Sequence, residues 1–174
     1  MKREQKLNLI SDLSNNDINK EPLIIELSGT PNSGKTSLIE EIDGAFRRYD
    51  IKCKVICESA KYCKISNKKI PQYNYWTALE TIQRIISVID QGYKIILCDR
   101  GIFDAITWMK FYYNNKLIKK DDFDSTIKFY SLNIWRQFIQ YVILITCDPQ
   151  IAIERDATYK EFKKYGTIVN METL

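Results

Sequence analysis

Residues 29–37 read Gly29-Thr30-Pro31-Asn32-Ser33-Gly34-Lys35-Thr36-Ser37, with the spacing G-x-x-x-x-G-K-[ST]. Two glycines so placed let the backbone curl until successive amide N–H groups point inward at an anion. A helix starting near Lys35 would add the positive end of its dipole. Lys35 supplies a mobile cation suited to the β- and γ-phosphates of a nucleoside triphosphate, and the Thr36 hydroxyl is a ligand for Mg2+. Gly29, Asn32, Ser33, Gly34, Lys35, Thr36 and Ser37 are the residues expected to hold the phosphates. Such loops serve kinases, GTPases, motors and inert sensors alike, so other segments must decide the fate of a bound nucleotide.

Other positions carry chemistry as well. The apolar run 95–98 ends at Asp99, a carboxylate placed to hold Mg2+ directly or through water. Arg100 follows, and its planar fork suits a phosphate or a substrate carboxylate. The competing reading of Arg100 is an ion pair with Asp104 or Glu58. Glu58, in VICESAKYC, could take a proton from an attacking hydroxyl or anchor a Mg2+-bound water. A solvated glutamate at a helix start is the plainer reading. Arg155, in CDPQIAIERDATYK, lies on a segment that would cross the nucleotide and could neutralise charge developing on a transferred phosphoryl group. Lys160, Lys163 and Lys164 could assist it, with an exposed charged helix as the competing reading. Tyr73 and Tyr75 could stack on a flat ring, whereas Trp76 reads as core.

These residues need elements to place them. The apolar runs 23–28 (LIIELS), 93–98 (YKIILC) and 141–146 (YVILIT) read as buried strands, and 52–57 (KCKVIC) alternates enough to be a fourth. Leu38, Ile39, Ile42, Ala45, Phe46 and Tyr49 share one face of a helix that follows the loop. An irregular connection covers 58–71. Asn74 is the expected N-cap of a helix with Trp76, Leu79, Ile82, Ile85, Ile86 and Ile89 on one face, stopped by Gly92. Helices are also expected over 103–113, 122–140 and 150–164. Alternating strands and helices predict an α/β fold, three layers α/β/α with a central parallel sheet. Right-handed crossovers bring the strand C-termini to one edge, and ligands of open α/β sheets bind there. Gly29–Thr36, Glu58, Asp99-Arg100 and Asp148 all fall at that edge.

The chain has 174 residues, 45% hydrophobic and 28% charged, enough for one domain with a real core. We divide it into a polar N-terminal arm, 1–21, and a domain over 22–174. No apolar run approaches the roughly 20 residues that span a bilayer, and the N-terminus lacks the pattern of a signal peptide. A cytoplasmic protein without a membrane partner is therefore expected. Net charge is +4 with no histidine. The lysines are dispersed rather than set in a stripe, so a nucleic-acid partner is not expected. Five cysteines without CxxC spacing read as small core residues in a reducing compartment.

Taken together, GTPNSGKTS, Glu58-Ser59-Ala60, DRG-x-x-D at 99–104 and DP-x-x-A-x-x-R at 148–155 resemble the P-loop nucleotide kinases, in particular the thymidylate kinase and deoxynucleoside kinase group. LCDRGIFDAITW carries much of the likeness, which spans residues 23–165. The resemblance implies a P-loop NTPase fold and transfer of the ATP γ-phosphate, with Mg2+, to a small acceptor such as a nucleoside or nucleotide. It implies that Lys35 and Thr36 bind ATP phosphates and Mg2+, that Glu58 lies near the acceptor or metal, that Arg100 contacts the acceptor side, and that Arg155 is a lid arginine. Two departures stand out. Glu58 is followed by Ser59 where thymidylate kinases carry proline. No fifth apolar strand follows Thr146, where the group has one beside a loop that holds adenine. A chain cut short at its C-terminus, an abbreviated adenine pocket, and a homodimer or partner chain completing the fold are the readings left open. A nucleotide-binding switch or subunit with little or no turnover is the alternative function.

Overall fold

The structure is a computed structural model that describes residues 21–160, with side chains as far as residue 155. Residues 1–20 of the arm, the side chain of Lys160, Lys163, Lys164 and the tail 165–174 lie outside the described residues.

The expected parallel α/β architecture is present. β1 (Leu23–Gly29), β2 (Cys53–Ile56), β3 (Ile95–Asp99) and β4 (Ile139–Ile145) form one sheet in the order β2-β3-β1-β4, every pair parallel. α1 (Lys35–Arg48) connects β1 to β2, α2 (Pro71–Val88) connects β2 to β3, and α3 (Ile102–Asn114), α4 (Lys120–Tyr130) and the short α5 (Asn133–Arg136) lead to β4. α6 (Pro149–Lys160) follows β4. The crossover to β2 leaves β1 in one direction and the return to β3 runs in the other. A single handedness therefore sends α1 to one face and α2 to the opposite face.

Two cores result. On one face Ile39 of α1 and Ile51 meet Leu27, Ile95 and Leu97. On the other, Ile82 and Ile85 of α2, Met109 and Tyr112 of α3 and Tyr130 of α4 cover Ile24, Ile56, Ile96 and Cys98. All five residues of β3 are buried, which explains why this strand is an unbroken apolar run up to Asp99. Each fully buried Ile or Leu there contributes about 2 kcal/mol of transfer free energy.

The structure corrects several expectations. α2 begins at Pro71, whose fixed φ and missing N–H suit the first helical position; Ile70 is the cap. Asn74 is inside the helix and buried, and its Nδ2 donates to the Ala105 carbonyl at 3.1 Å. The buried stripe of α2 is Ala78, Ile82, Ile85 and Val88, while Leu79 and Ile86 face outward. The helix expected over 122–140 is interrupted. Leu132 is extended at φ −57°, ψ 139°, which ends α4 and redirects the chain through α5 into β4 two residues earlier than expected. β4 is also an edge among the described strands. Tyr141, Val142, Ile143 and Leu144 are 61%, 42%, 38% and 69% exposed, not buried as their apolar run suggested.

Candidate active site

β1 delivers the glycine-rich loop expected to hold phosphates. Gly29 has φ +143°, and a Cβ there would collide with the backbone carbonyl oxygen of Ile145, so the close approach of β4 admits only glycine. The chain then turns through Asn32, itself left-handed at φ 59°, and enters α1 directly after Gly34. The start of α1 thus points its free N–H groups into the loop. Lys35 is only 5% exposed. Its ammonium donates to the Gly29 carbonyl (3.0 Å), the Thr30 carbonyl (2.6 Å) and the Ser33 hydroxyl (3.3 Å). Burial, helped by the Arg100 charge, lowers its pKa to about 8 against the opposing pull of Asp104, Asp99 and Glu58. Thr36 and Ser37 are exposed at the mouth of the loop.

β3 delivers Asp99 to the same place. The Thr36 hydroxyl donates to Asp99 Oδ2 at 2.7 Å, while Asp99 Oδ1 is buried without a hydrogen-bond partner. Burial, followed by the neighbouring Glu58 charge, pushes the Asp99 carboxyl up, and the Thr36 hydrogen bond, Arg100 and Lys35 oppose it. A hydroxyl oxygen beside an unsatisfied buried carboxylate oxygen is a donor set that fits a hard divalent cation.

Arg100 closes the group. Its backbone is left-handed at φ 68°, which is uncommon for a side chain of this size, and its N–H donates to the Leu27 carbonyl at 3.0 Å. Nε donates to Glu58 Oε1 at 2.8 Å. Nη1 donates to both oxygens of Asp104, at 2.9 and 2.8 Å, and to the Gly29 carbonyl at 3.1 Å. Both ion pairs proposed as rivals to a ligand role are therefore present. Asp104 also accepts the Ser28 hydroxyl at 3.0 Å and the Gly29 N–H at 3.3 Å, so α3 is tied to the phosphate loop. Tyr73 is close enough to feel Glu58; burial first, then that carboxylate, push its phenol up to about 12. Tyr75 is turned away, its hydroxyl 2.6 Å from Thr126 Oγ1. Trp76 is half-buried.

Arg155 of α6 is exposed, and its Nη1 donates to the Asn32 carbonyl of the loop at 3.0 Å. The structure thus gathers Lys35, Thr36, Asp99, Arg100, Glu58 and Arg155 at one sheet edge. In the sequence Asp104 stood out as an ion-pair partner and as the last residue of DRG-x-x-D, while Ser28 and Glu26 did not stand out as site residues. A glutamate inside the otherwise apolar LIIELS was a visible signal for the last. Two open clefts of about 550 and 600 Å3 lie elsewhere, against Leu117, Ile118 and Lys119, and include none of these residues.

The fold matches solved structures of a deoxyadenosine kinase from M. mycoides. The form with the products dCMP and a flexible dCDP superposes with a TM-score of 0.66 at 18% identity, over 87% of this chain and 77% of that one. The dATP-bound form gives 0.60 at 18% identity over the same shares, 87% and 77%. The dCTP-bound form gives 0.58 at 18% identity, over 87% of this chain and 76% of that one. Neither a protein-family model nor a curated protein sequence matches the chain. No helix among the described residues is long and apolar enough to cross a membrane.

Proposed function

We propose that this protein is an ATP- and Mg2+-dependent phosphotransferase acting on a small acceptor, a nucleoside or nucleotide. The observation that carries the reading is the juxtaposition of two half-sites. Lys35, Thr36 and Asp99 form a donor half, and Arg100 with Glu58 borders it on the side of β2. In this reading the loop N–H groups, the start of α1 and Lys35 hold the ATP phosphates. Thr36 and Asp99 would hold Mg2+, which when bound neutralises phosphate charge. An acceptor oxygen attacks the γ-phosphorus, the bond from that phosphorus to the ADP oxygen breaks, and the acceptor proton passes to the Glu58 carboxylate. Arg100 and Arg155 stabilise charge on the moving phosphoryl group. Little covalent chemistry falls to the protein, so positioning and charge set the rate. The deoxyadenosine kinase that shares the fold, in structures with dATP, dCTP and dCMP bound, supports the choice of acceptor class.

The test is a panel assay with γ-labelled ATP, Mg2+ and separate nucleosides, nucleotides and other small phosphate acceptors. Label is expected on one nucleoside or nucleotide class, with turnover lost in Glu58→Gln and reduced at least tenfold in Arg155→Ala. Tight ATP binding with no transfer to any acceptor would overturn the proposal and leave a nucleotide-binding switch.

A further inference from the structure

Glu26 is a fully buried carboxylate in β1, in register with Cys98 of β3 and Val142 of β4. Nothing in the donor and acceptor chemistry above uses it. Its position makes sense only from the other side of the site. α3 begins just after Arg100, and its cap residue, Gly101, has no side chain with which to satisfy the first turn. The first N–H groups of a helix have no partner within it. Glu26 reaches up from the sheet to supply one: Oε1 accepts the Asp104 N–H at 2.8 Å and Oε2 accepts the Phe103 N–H at 3.2 Å. Gly101 makes room for this, because a Cβ there would run into the Glu26 carboxylate. The Gly101 backbone is extended (φ −162°), so space rather than conformation excludes a side chain.

The consequences run outward through named contacts. The residue whose N–H Glu26 holds most closely, Asp104, grips Arg100 with both carboxylate oxygens and also takes the Ser28 hydroxyl and the Gly29 N–H. Arg100 in turn reaches Glu58 and the Gly29 carbonyl. One buried carboxylate therefore sets the start of α3, and that start sets the guanidinium beside the phosphate loop. The groups facing Glu26 are few. Asp104 from α3 is the nearby charge, the Cys98 thiol lies alongside on β3, and β4 presents apolar Val142. Burial in these surroundings raises the Glu26 pKa to about 7, with the N–H groups of Asp104, Phe103 and Ile102 pulling it back.

We infer that Glu26 is a positioning residue, one that fixes Asp104 and Arg100 against the phosphate loop by capping α3 from the sheet; its kinetic consequence rests on the phosphotransferase reading. Two readouts on the full chain separate the two. The first is an NMR pH titration. The amide protons of Phe103 and Asp104 and the side-chain Nε–H of Arg100 are expected to shift together as Glu26, whose pKa burial raises to about 7, loses its proton, and Glu26→Gln is expected to move all three signals and abolish that shared step. Gly101→Ala, which pushes the carboxylate aside without removing it, shifts the same signals, and the double variant is no worse than either single one. The second is kinetic. With MgATP and the acceptor found in the panel, Glu26→Gln lowers kcat at least tenfold and leaves KM for ATP within about twofold. If Glu26→Gln leaves the Phe103 and Asp104 amides and the Arg100 Nε–H where the wild type has them, or moves the two amides without the Arg100 signal, Glu26 does not position the guanidinium and the inference is overturned. If the wild type transfers phosphate to nothing, the phosphotransferase reading falls, and the NMR titration alone decides the role of Glu26.

Discussion

Nucleotide binding should weaken as pH rises above about 8, because Lys35 must regain a proton when phosphates arrive. Burial holds the Lys35 pKa at about 8. A polyphosphate against the ammonium favours the charged form and returns the pKa to its ordinary 10.5 or above. Below about pH 8 the free protein already carries the charge, and binding costs nothing extra. Above it, each pH unit adds about 1.4 kcal/mol of proton uptake to the binding reaction. The apparent Kd for MgATP should therefore rise about tenfold between about pH 7 and pH 9. The ligand does not contribute, since phosphate monoesters lose their last proton near pH 6. Isothermal titration calorimetry in two buffers of different ionisation enthalpy reads the effect directly: about 0.1 proton taken up near pH 7 and about 0.9 near pH 9. Lys35→Met should remove the slope and weaken binding near neutral pH by about 10- to 100-fold, the loss of a charge-assisted hydrogen bond. The free protein offers a cross-check on sign. The folded state loses the Lys35 proton at a lower pH than the unfolded chain does. Stability should therefore rise, by up to about 3 kcal/mol, as pH climbs from about 8 toward 10.5. A flat Kd across this range with no proton uptake would refute the reasoning that Lys35 is a buried, partly deprotonated phosphate ligand.

Two other outcomes are expected from the geometry. Gly29→Ala forces a left-handed side chain onto the Ile145 backbone carbonyl and should destabilise the fold by about 2–4 kcal/mol in urea denaturation; a loss under about 0.5 kcal/mol would mean that β4 simply moves away. Asp99→Asn keeps an acceptor for the Thr36 hydroxyl but removes the charge, so affinity for ATP should become insensitive to Mg2+ while metal-free ATP binds at least as well as before; an undiminished Mg2+ effect would assign the cation elsewhere.

The parts of this fold that were legible in sequence are those where local chemistry and tertiary demand agree. The G-x-x-x-x-G-K-[ST] spacing encodes its own backbone, and β3 is apolar up to Asp99 because it is covered on both sides. Asn74 misled because a good capping side chain also makes a good interhelical donor, and only the position of Ala105 tells the two apart. Leu79 and Ile86 misled because an isoleucine- and leucine-rich helix offers more than one plausible apolar stripe. The helix over 122–140 failed at Leu132, an ordinary helix former whose extended backbone is imposed by the need to bring β4 alongside β1. Glu26 was overlooked for a different reason. Its partners, Phe103 and Asp104, are remote in sequence, and they use backbone N–H groups that every residue carries.

The charges gathered at the site favour a cation in the proposed chemistry. Before any ligand arrives, Lys35 and Arg100 face Glu58, Asp99 and Asp104. Arg100 is engaged by Glu58 on one side and Asp104 on the other, so it offers an incoming phosphate little net attraction. Lys35 is left to balance Asp99 as well as the ligand. An anion entering this group gains from the loop N–H groups and the start of α1, but it also meets a carboxylate whose Oδ1 has no donor of its own. In the proposed reading a divalent cation held by Thr36 and Asp99 would turn that liability around: it would satisfy the orphaned oxygen and offset the repulsion between Asp99 and the phosphates. Lys35, no longer balancing Asp99, would then act on the phosphates alone. The ion pairs of Arg100 and its use as a phosphoryl ligand are then compatible. In the proposed reading an acceptor drawn toward Glu58 would compete for the Glu58–Arg100 contact, and the guanidinium, still anchored by Asp104, would be freed on the side facing the phosphate loop.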